Sequence, residues 1–398
     1  MKTKLAVLFG GKSVEHEISV ISALQAIENL NRDKYDIIPV YISKSGDMYT
    51  GEILLCSESY RDIPEMLKKS TKVTFASDGG KAYLVRCPAK KFGSNTISEV
   101  DVAFPIVHGT NVEDGVLQGY LKTVGLPFVG CDVLASAVGM DKYVMKAMLR
   151  DGGFPVLDSL RFSGKNQKKN EITKAVEKKF SYPVIVKPVN LGSSVGITVA
   201  HDRDSLEKAL GEALNYADTI IVERAIVNLR EINCSVVGDA SHAEASECEE
   251  PFMCDEILSY EDKYMSGGKG GKSGGSKGMA SLKRKVPADI SPELREKIRK
   301  MAVDSFRWLG CCGVSRIDFM IDADTDELFI NEFNTIPGSL SFYLWKPLGV
   351  SYTELLDKLI SLAFKRQREA SEITFSFDTN ILAMGAPTGA KGAKGAKL

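Results

Sequence analysis

The sequence has almost no net charge, few histidines and no long apolar run, and each shortage excludes a class of protein. Lys plus Arg total 51 against 52 Asp plus Glu, so the formal net charge of -1 gives no reason to expect nucleic acid or an anionic membrane as the main partner. The four histidines and eight cysteines include no CxxC pair, which argues against a zinc site and indicates reduced, structural thiols. A small-molecule substrate fits this composition better.

The amino-terminal apolar stretch is also short. Leu5–Phe9 is followed at once by Gly10, so the run is too short for a signal-peptide core or a bilayer span, and we expect a cytoplasmic protein. The length of 398 residues, 44% of them hydrophobic, is sufficient for two or three domains that share buried interfaces.

The first third of the chain has the pattern of an open α/β domain, which we place at residues 1–141. Apolar runs and helical spacing predict strand, glycine turn and helix, followed by further strands and a helix. The predicted elements are the strands Leu5–Phe9, Asp36–Ile42 and Val100–Val107 and the helices Ile18–Leu30 and Val116–Val124. In such a domain ligands bind at the carboxyl ends of the strands.

An α+β pattern follows, and we divide it into units at residues 142–223 and 224–368. The predicted elements are the helices Asp141–Arg150 and Pro292–Leu309 and the strands Pro183–Lys187, Ser315–Ile321 and Glu327–Asn334. The last two strands alternate polar and apolar residues, which indicates one wet face. Two segments rich in Gly and Lys have nothing to bury: Ser266–Gly278, predicted to be a mobile loop, and the residues after Met384. We therefore predict a partly disordered tail at 369–398.

A lysine and a glycine-serine loop suggest phosphate binding. Lys187 ends an apolar strand, where a cation is costly unless it meets a phosphate, although a lysine that reaches out to solvent is the alternative. The segment Gly192–Gly196 then offers successive backbone N–H groups and the hydroxyls of Ser193 and Ser194. The spacing is not that of a P-loop, so ATP would be gripped in another way.

Three oxygen-bearing side chains near the end of the pattern suggest a magnesium site. Glu332 and Asn334 are two residues apart on one predicted strand, so they share a face. Asp318 lies on the neighbouring strand, and Arg316 points to the same face as Asp318. Hard oxygen ligands with open positions suit Mg²⁺ held jointly with nucleotide phosphates. A polar, solvent-facing hairpin is the alternative.

Polar groups also follow two amino-terminal strands. Glu15 and His16 come just after the turn Gly10-Gly11, and His108 begins a segment rich in Gly and acidic residues. Loops at such strand ends commonly line ligand sites. Each motif alone is weak, because an ordinary β-α turn can use the same residues.

The order of these motifs resembles that of D-alanine:D-alanine ligases. The resemblance extends from Leu5 to Trp345 and rests on the succession EHEIS, HGTxxEDGxxQG, MDK, VIVKP, GSSVGI, VER, DKY, SRIDF and NEFNTIPG. It implies an ATP-grasp fold, α/β and α+β, with an N-terminal open α/β substrate domain. It also implies ATP, two Mg²⁺ ions with Mn²⁺ as a substitute, D-alanine and a second D-amino acid as substrates, and a role in peptidoglycan precursor synthesis. A homodimer is common in the family.

The resemblance carries roles over to individual positions. The implied nucleotide-binding residues are Lys142, Lys187 and Ser194 for the phosphates, Glu223 for the adenine side, Glu231 for the ribose, and Lys263 on a closing loop. The implied metal ligands are Asp318, Glu332 and Asn334. The implied residues around the amino acids are Glu15, Ser193 and Tyr264 near the first, His108, Tyr343 and Leu344 as further substrate contacts, and Arg316 with the backbone N–H of Gly338 as oxyanion donors.

The implied reaction has two steps. The carboxylate of the first D-alanine attacks the γ-phosphate of ATP to give an acyl phosphate, and the amine of the second amino acid then attacks the acyl carbon. Arg316 and the N–H of Gly338 would stabilise the tetrahedral oxyanion.

Departures from the family pattern affect some of these assignments. Val112 replaces a glycine, Ser259 replaces an acidic residue, and the stretch 224–230 lacks a glycine and is one residue longer, which weakens the ribose assignment. The family's serine-leucine pair, which usually holds the carboxylate of the second substrate, reads Tyr343-Leu344. The acceptor could therefore be D-serine, D-lactate or another compound, although Tyr264 argues against lactate.

A catalytically silent nucleotide-binding protein is a further alternative. The intact set of Lys187, Arg316, Asp318, Glu332 and Asn334 argues against it, because unpaired charges are costly to keep without a use.

Overall fold

The computed structural model describes residues 2–164, 167–192, 195–251 and 284–376, and these residues form three sheets. The seven-stranded amino-terminal sheet contains β1 Thr3–Gly10, β2 Tyr35–Ile42, β3 Met48–Thr50, β4 Thr71–Asp78, β5 Lys81–Arg86, β6 Thr96–Val100 and β7 Val102–Pro105. The four-stranded sheet contains β8 Ser159–Ser163, β9 Val184–Pro188, β10 Thr198–Ala200 and β11 Thr219–Arg224. The five-stranded sheet contains β12 Leu229–Gly238, β13 Ala243–Pro251, β14 Arg284–Lys285, β15 Gly313–Asp322 and β16 Glu327–Asn334.

Helices cover and connect these sheets. The α-helices are α1 His16–Asn29, α2 Ile63–Lys68, α3 Val116–Thr123, α4 Val133–Met140, α5 Lys142–Asp151, α6 Lys169–Lys179, α7 Arg203–Ala213, α8 Pro292–Trp308 and α9 Tyr352–Ser371. Short 3-10 helices lie at Glu52–Leu55, Ser57–Arg61, Gly338–Leu344 and Lys346–Leu348. No helix in the described part of the chain has both the length and the apolar character needed to cross a bilayer.

The amino-terminal sheet confirms the predicted α/β character but is larger than expected. Its order is β6-β5-β4-β3-β2-β1-β7, with β1 parallel to β2 and β7. The antiparallel strands β3 to β6 were not predicted. A signal was present, because Gly79-Gly80 joins β4 to β5 with positive φ at both residues, as a two-residue hairpin turn requires.

The predicted strand Val100–Val107 is wrong as a single element. β6 ends at Val100 and β7 begins at Val102, with Asp101 between them. Asp101 ties this point to the start of β1, because its carboxylate accepts from the backbone N–H of Lys4 at 2.7 Å and its own N–H donates to the Lys4 carbonyl at 3.0 Å. Asp101 interrupts the apolar run in the sequence, but a single polar residue does not show that strand pairing changes at this point.

The five-stranded sheet has one apolar and one polar face. Ile232, Cys234, Ile317 and Phe319 are fully buried on the apolar face and share one core cluster with Phe306 of α8. Because side chains alternate along a strand, the residues between them point to the opposite face. The predicted wet face is therefore present, and it faces away from α8.

The last helix connects the carboxyl-terminal part to the amino-terminal sheet. Ser351 caps α9 by accepting from the N–H of Glu354 at 3.2 Å. Asp357 then accepts from Lys34 Nζ at 2.7 Å and from the hydroxyl of Tyr35 at 2.8 Å, both just before or at the start of β2. Leu355, Leu356 and Leu359 belong to the same core cluster as β1, so the described amino- and carboxyl-terminal parts share a core.

Candidate active site

A bulge in β16 brings the predicted metal ligands to the polar face. Ile330 pairs with Phe319 and Glu332 pairs with Asp318, which leaves Asn331 as an extra residue in β16. Strict alternation would have placed Glu332 on the apolar face beside Ile330. The extra residue reverses the alternation, so Glu332 and Asn334 lie on the face that carries Asp318.

The polar face has one continuous row of side chains across four strands. The row runs from β16 to β13 through residues that are directly opposite one another in register: Glu332, Asp318, Asn233 and Glu249. Opposed residues on antiparallel strands have Cβ atoms about 4.5–5.5 Å apart, so their polar groups act on one another. Glu231 lies two residues before Asn233 on β12 and therefore on the same face.

Arg316, Asp318 and Asn334 form a hydrogen-bonded group. Arg316 donates to both oxygens of Asp318, each at 2.6 Å, and Asn334 Nδ2 donates to Asp318 Oδ2 at 3.0 Å. Burial and the nearby Glu332 raise the pKa of Asp318, while Arg316 opposes that rise. Among the described residues no group of three or more His, Cys, Asp or Glu side chains could hold a metal ion. The predicted ligand set consists of only two carboxylates and an amide.

Two lysines and one glutamate form a buried charge cluster between α5, β9 and β11. Glu223 is 0% exposed, and its carboxylate accepts from Lys146 on one oxygen and from Lys187 at 2.9 Å on the other. Burial alone would raise the pKa of Glu223, but the two ammonium groups lower it to about 2. Lys187 also donates to Asn331 Oδ1 at 3.3 Å. The bulge residue thus links the second sheet to the third.

Lys142 joins the same two sheets from the start of α5. The helix begins there because Asp141 accepts from the N–H groups of Tyr143 and Val144, both at 3.0 Å. Lys142 Nζ donates to the carbonyl of Leu191 at 2.7 Å and lies 3.4 Å from Glu332 Oε2. One lysine therefore contacts both the start of the glycine-serine loop and a predicted metal ligand.

Glu15 lies where two glycine-containing loops come close together. A methyl group added to Gly109 would lie 2.9 Å from Glu15 Oε2, and one added to Gly192 would lie 2.8 Å from it. Both loops can therefore approach the carboxylate only because these positions have no side chain. Glu15 is buried, and its contacts place it between the amino-terminal domain and the loop that leads to Ser193.

His108 and Ser22 hold the segment after β16 against the amino-terminal sheet. The ring of His108 donates from Nδ1 to the carbonyl of Ile336 at 2.8 Å, because a carbonyl only accepts. Nε2 then accepts from the hydroxyl of Ser22 at 3.1 Å, and Ser22 accepts from the N–H of Ser339 at 3.0 Å. Burial lowers the pKa of His108 to about 4, so the ring is neutral. These contacts show a positioning role, and contact with substrate stays a prediction.

Glu113 forms a second tie to the same segment. One oxygen accepts from the N–H of Gly109 at 3.0 Å, and the other accepts from the N–H of Ile336 at 2.9 Å and the hydroxyl of Thr335 at 3.3 Å. Burial, the largest effect, raises the pKa of Glu113 to about 8, and the nearby carboxylate of Glu15 adds to that rise.

The segment that carries Gly338 has an unusual backbone. Ser339, Leu340 and Ser341 all have φ of 50–52°, in the left-handed region that residues other than glycine rarely occupy. Ser339 is anchored to α1, because its hydroxyl donates to Gln25 Oε1 at 2.7 Å. The hydroxyl of Ser341 is buried and has no hydrogen-bond partner within the described ranges.

Tyr343 and Leu344 end this segment, and they have different environments. Leu344 is fully buried in the amino-terminal core cluster. The hydroxyl of Tyr343 donates to Glu249 Oε1 at 3.0 Å, and the guanidinium of Arg284 lies 4.1 Å from the centre of its ring. Tyr343 therefore faces the polar row of the third sheet.

Several predicted site residues lie outside the described residues. They are Ser193, Ser194, Ser259, Lys263 and Tyr264, together with the loop 266–278 and most of the tail, from 377 to 398. The other predicted residues all lie on the polar face of the third sheet, on the elements around it, or on the amino-terminal loops that meet Ile336.

The structure adds residues that sequence reasoning missed. Lys146 is four residues after Lys142, a spacing that places both on one face of a helix and could have been noticed. Asn233 and Glu249 lie on the polar face of β12 and β13, and Arg284 lies on β14. Nothing in local spacing connects these last three, because they meet only through strand pairing.

The chain was compared with known proteins. Family models described as the N-terminus and the C-terminus of D-ala D-ala ligase match residues 4–131 and 148–361. The D-alanine–D-alanine ligase of Thermosipho melanesiensis is 38% identical over 378 residues, which cover 95% of this chain and 98% of that relative. The D-alanine–D-alanine ligase of Clostridium acetobutylicum is 40% identical over 374 residues, which cover 92% of this chain and 99% of that relative.

Two solved structures agree with these sequence matches. The D-alanine-D-alanine ligase of Coxiella burnetii has a TM-score of 0.76 at 29% identity and covers 93% of this chain and 96% of its own. The VanG D-Ala:D-Ser ligase of Enterococcus faecalis has a TM-score of 0.75 at 32% identity and covers 91% of this chain and 100% of its own. The two ligases, whose names give different second substrates, are about equally similar in fold to this chain. The fold is thus that of the ATP-grasp ligases, and the chain belongs to the D-alanine–D-alanine ligase family.

Proposed function

We propose that this protein joins two D-alanine molecules at the expense of ATP, through an acyl phosphate, to supply a peptidoglycan precursor. The observation that carries the proposal is the meeting of a buried cluster of lysines with a row of oxygen ligands and an arginine. An enzyme of this class needs cations for phosphates and donors for an oxyanion in one place.

The lysine cluster would bind the phosphates of ATP, at what we call the phosphate end of the site. In the group of Lys146, Lys187 and Glu223, two ammonium groups meet one carboxylate, which leaves one positive charge buried. A buried charge excess is costly unless a ligand completes it, and the phosphates of ATP are ligands of the required sign. Lys142 lies beside the glycine-serine loop and extends the positive region toward Glu332. Both oxygens of Glu223 accept from lysines. Its proposed role on the adenine side would therefore be indirect, through its hold on Lys187 of the neighbouring strand β9.

The chemistry of the polar row fits divalent metal. Asp318, Glu332 and Asn334 present carboxylate and amide oxygens from paired strands, and hard oxygen donors with few protein ligands are typical of Mg²⁺ held with substrate phosphates. Bound there, Mg²⁺ would neutralise charge on the phosphates; two ions, with Mn²⁺ as a substitute, belong to this proposal. The bidentate contact from Arg316 keeps the carboxylate of Asp318 in a fixed orientation.

The amino acids would bind between the amino-terminal loops and the segment after β16. Glu15, next to Gly192, suits the ammonium group of the first D-alanine. A carboxylate oxygen of the first D-alanine then forms a bond to the γ-phosphorus of ATP as ADP leaves. The amine of the second D-alanine then attacks the acyl carbon, loses a proton, and phosphate leaves.

Arg316 and Gly338 are the proposed donors to the tetrahedral oxyanion. Arg316 on β15 is opposite Asn334, the last residue of β16, and Gly338 follows Asn334 by four residues. His108 and Glu113 fix this segment from the amino-terminal side. Donors that are already in place stabilise a developing charge without reorganisation.

A D-alanine:D-serine activity is the alternative that an observation favours. The matched D-Ala:D-Ser ligase is as similar in fold as the D-alanine-D-alanine ligase, and Tyr343 stands where a serine is usual. A D-lactate acceptor and a silent ATP-binding protein are the other outcomes of the same assay.

The experiment incubates the protein with ATP, Mg²⁺ and D-alanine, alone and with D-serine or D-lactate, and measures ADP and the products by mass spectrometry. We expect one ADP per D-alanyl-D-alanine and no ADP with L-alanine, the matched control substrate. ADP release without D-alanine, or no condensed product, would contradict the proposal. A mainly D-alanyl-D-serine product would establish the alternative.

Three further predictions accompany this function. The domain boundaries at 141, 223 and 368 can be tested by limited proteolysis, and a homodimer by sedimentation equilibrium. The predicted cytoplasmic location can be tested by cell fractionation.

A further inference from the structure

Glu249 is the centre of a buried polar cluster at the far end of the row from Glu332. Only 2% of Glu249 is exposed, and three side chains donate to its carboxylate. Asn233 Nδ2 and the hydroxyl of Tyr343 donate to Oε1 at 3.1 and 3.0 Å, and Arg284 Nη1 donates to Oε2 at 2.9 Å. This cluster of Glu249, Arg284 and Tyr343 has no place in the reaction described above.

The cluster lies beside the proposed oxyanion donors. Asn233 is opposite Asp318 on one side and opposite Glu249 on the other, so a single residue separates the Arg316 group from the cluster. Tyr343 belongs to the same irregular segment as Gly338, separated from it by the three left-handed residues and Phe342. Burial, the largest effect, and the carboxylate of Glu249 raise the pKa of Tyr343, while the guanidinium groups of Arg284 and Arg316 oppose that rise.

The contacts of Tyr343 fix how its ring is presented. The hydroxyl is a single donor, and it donates to Glu249. Arg284 lies over the ring face at 4.1 Å, a distance typical of a cation–π contact. The ring is thus held at its tip and on one face. The phenol does not offer its proton to a substrate carboxylate, as a serine hydroxyl would.

Glu249 also forms an ion pair with Arg284. Arg284 has a side chain that is 9% exposed, and Arg316 is buried nearby, so two guanidinium groups share a desolvated region. Asp318 neutralises Arg316 and Glu249 neutralises Arg284. Replacing the Glu249 carboxylate removes this ion pair, and with it one contact that sets the position of Arg284 over the Tyr343 ring.

We propose that Glu249 and Arg284 are positioning residues that hold the Tyr343 ring as a wall of the acceptor subsite, and that this wall selects a small acceptor side chain. This role rests on the proposed ligase function. It assigns the specificity to an aromatic surface held in place by an ion pair, with the carboxylate of the acceptor bound by other groups.

The test measures acceptor preference in four proteins: wild type, Glu249→Gln, Tyr343→Phe and the double variant. Each is given ATP, D-alanine and one competing acceptor, either glycine, D-serine or D-valine, and the ratio of products is measured. Glu250→Gln is the matched control, because Glu250 is the next residue of β13, points to the opposite face and pairs with Arg230 at 2.9 Å. KM for ATP and thermal stability are measured for every variant.

We expect Glu249→Gln to raise the KM of the acceptor about tenfold, the size of one lost charged hydrogen bond, and to increase the share of products with larger acceptors. KM for ATP should stay unchanged. The double variant should match Glu249→Gln within about twofold, because the phenol acts through Glu249. The control should behave like wild type.

Two results would overturn the role. If Tyr343→Phe raises the acceptor KM by the same factor with and without Glu249, the phenol binds the acceptor directly. If Glu249→Gln lowers stability but leaves product ratios unchanged, the cluster is merely structural. A wild type that forms no condensed product with any acceptor would overturn the proposed function, and this role with it.

Discussion

The proposed phosphate end and the proposed acceptor end of the site each contain a buried carboxylate with cationic partners, but the backbone elements that carry these residues differ. In each, a buried carboxylate accepts hydrogen bonds from cationic side chains: Glu223 from Lys146 and Lys187, Glu249 from Arg284. The first cluster lies entirely on α5, β9 and β11. The second includes Tyr343, from a segment with three left-handed residues. Regular elements hold the charge cluster that we propose for the phosphates, whereas an irregular segment holds the residue that we propose for acceptor preference.

The largest effect should come from breaking the phosphate-end cluster. Glu223→Ala leaves Lys146 and Lys187 buried without their carboxylate, so we expect the free energy of unfolding to fall by about 3–5 kcal/mol. Denaturant titration measures this. Glu58→Ala is the control, since it removes a carboxylate from an exposed pair with Arg61, and it should lower the free energy of unfolding far less. An equally small loss for both variants would contradict the account of the cluster.

Removal of a predicted metal ligand should lower turnover strongly. Glu332→Gln should do so with less loss of stability than Asp318→Asn, which also leaves the buried Arg316 without its carboxylate. Asp318→Asn or Glu332→Gln takes one negative charge from the site, and we expect kcat to fall at least about a hundredfold, since metal neutralisation is worth several kcal/mol. Steady-state kinetics over a range of Mg²⁺ concentrations is the measurement. Asp324→Asn, in the exposed turn between β15 and β16, is the control. Near wild-type turnover in either site variant would refute the metal assignment.

The stability of the protein should depend on pH through Glu113, which holds the segment at Thr335 and Ile336. Its folded-state pKa, about 8, is raised from 4.5 mainly by burial. The folded protein thus binds a proton more tightly, so the stability that Glu113 contributes is present below about pH 4.5 and is lost as the pH rises through about 8. We expect the free energy of unfolding to fall by a few kcal/mol across this range, at ~1.4 kcal/mol per unit of pKa shift.

Glu113→Gln removes this titration. Denaturant titrations at several pH values should therefore give a flatter profile for the variant than for wild type. Parallel profiles would show that Glu113 does not titrate in this range.

The smallest effect should be at the acceptor end. Tyr343→Ser removes the ring and cannot reach Glu249, so we expect a change of at least about tenfold in the KM of the acceptor and about none in that of ATP. Stability is measured alongside, because the ring is partly buried. Unchanged acceptor kinetics would show that Tyr343 lies outside the subsite.

Much of the phosphate end could be predicted from the sequence. Lys187 ends a recognisable apolar strand, Lys142 begins a capped helix, and Glu332 and Asn334 are two residues apart on one strand. These signals are local, because each depends on residues close together in the chain. The one non-local detail is the bulge at Asn331, which leaves the spacing of Glu332 and Asn334 intact.

The acceptor end could not be predicted in the same way. Glu249, Arg284 and Tyr343 lie on β13, β14 and a 3-10 helix, and they meet only through the pairing of the third sheet. None of the three left-handed positions, Ser339–Ser341, is a glycine, so the sequence does not indicate this backbone conformation. The replacement of a serine by Tyr343 was visible in the sequence, but its partners were not.

The most direct test of the proposed chemistry follows the oxygen atoms of the first substrate. D-alanine labelled with oxygen-18 in its carboxylate is converted with ATP, and the phosphate and dipeptide are analysed by mass spectrometry. If the carboxylate attacks the γ-phosphorus, one labelled oxygen leaves with phosphate and the other stays in the new amide. Unlabelled phosphate alongside dipeptide formation would contradict the acyl phosphate, and with it the account of how the lysine cluster and the polar row cooperate.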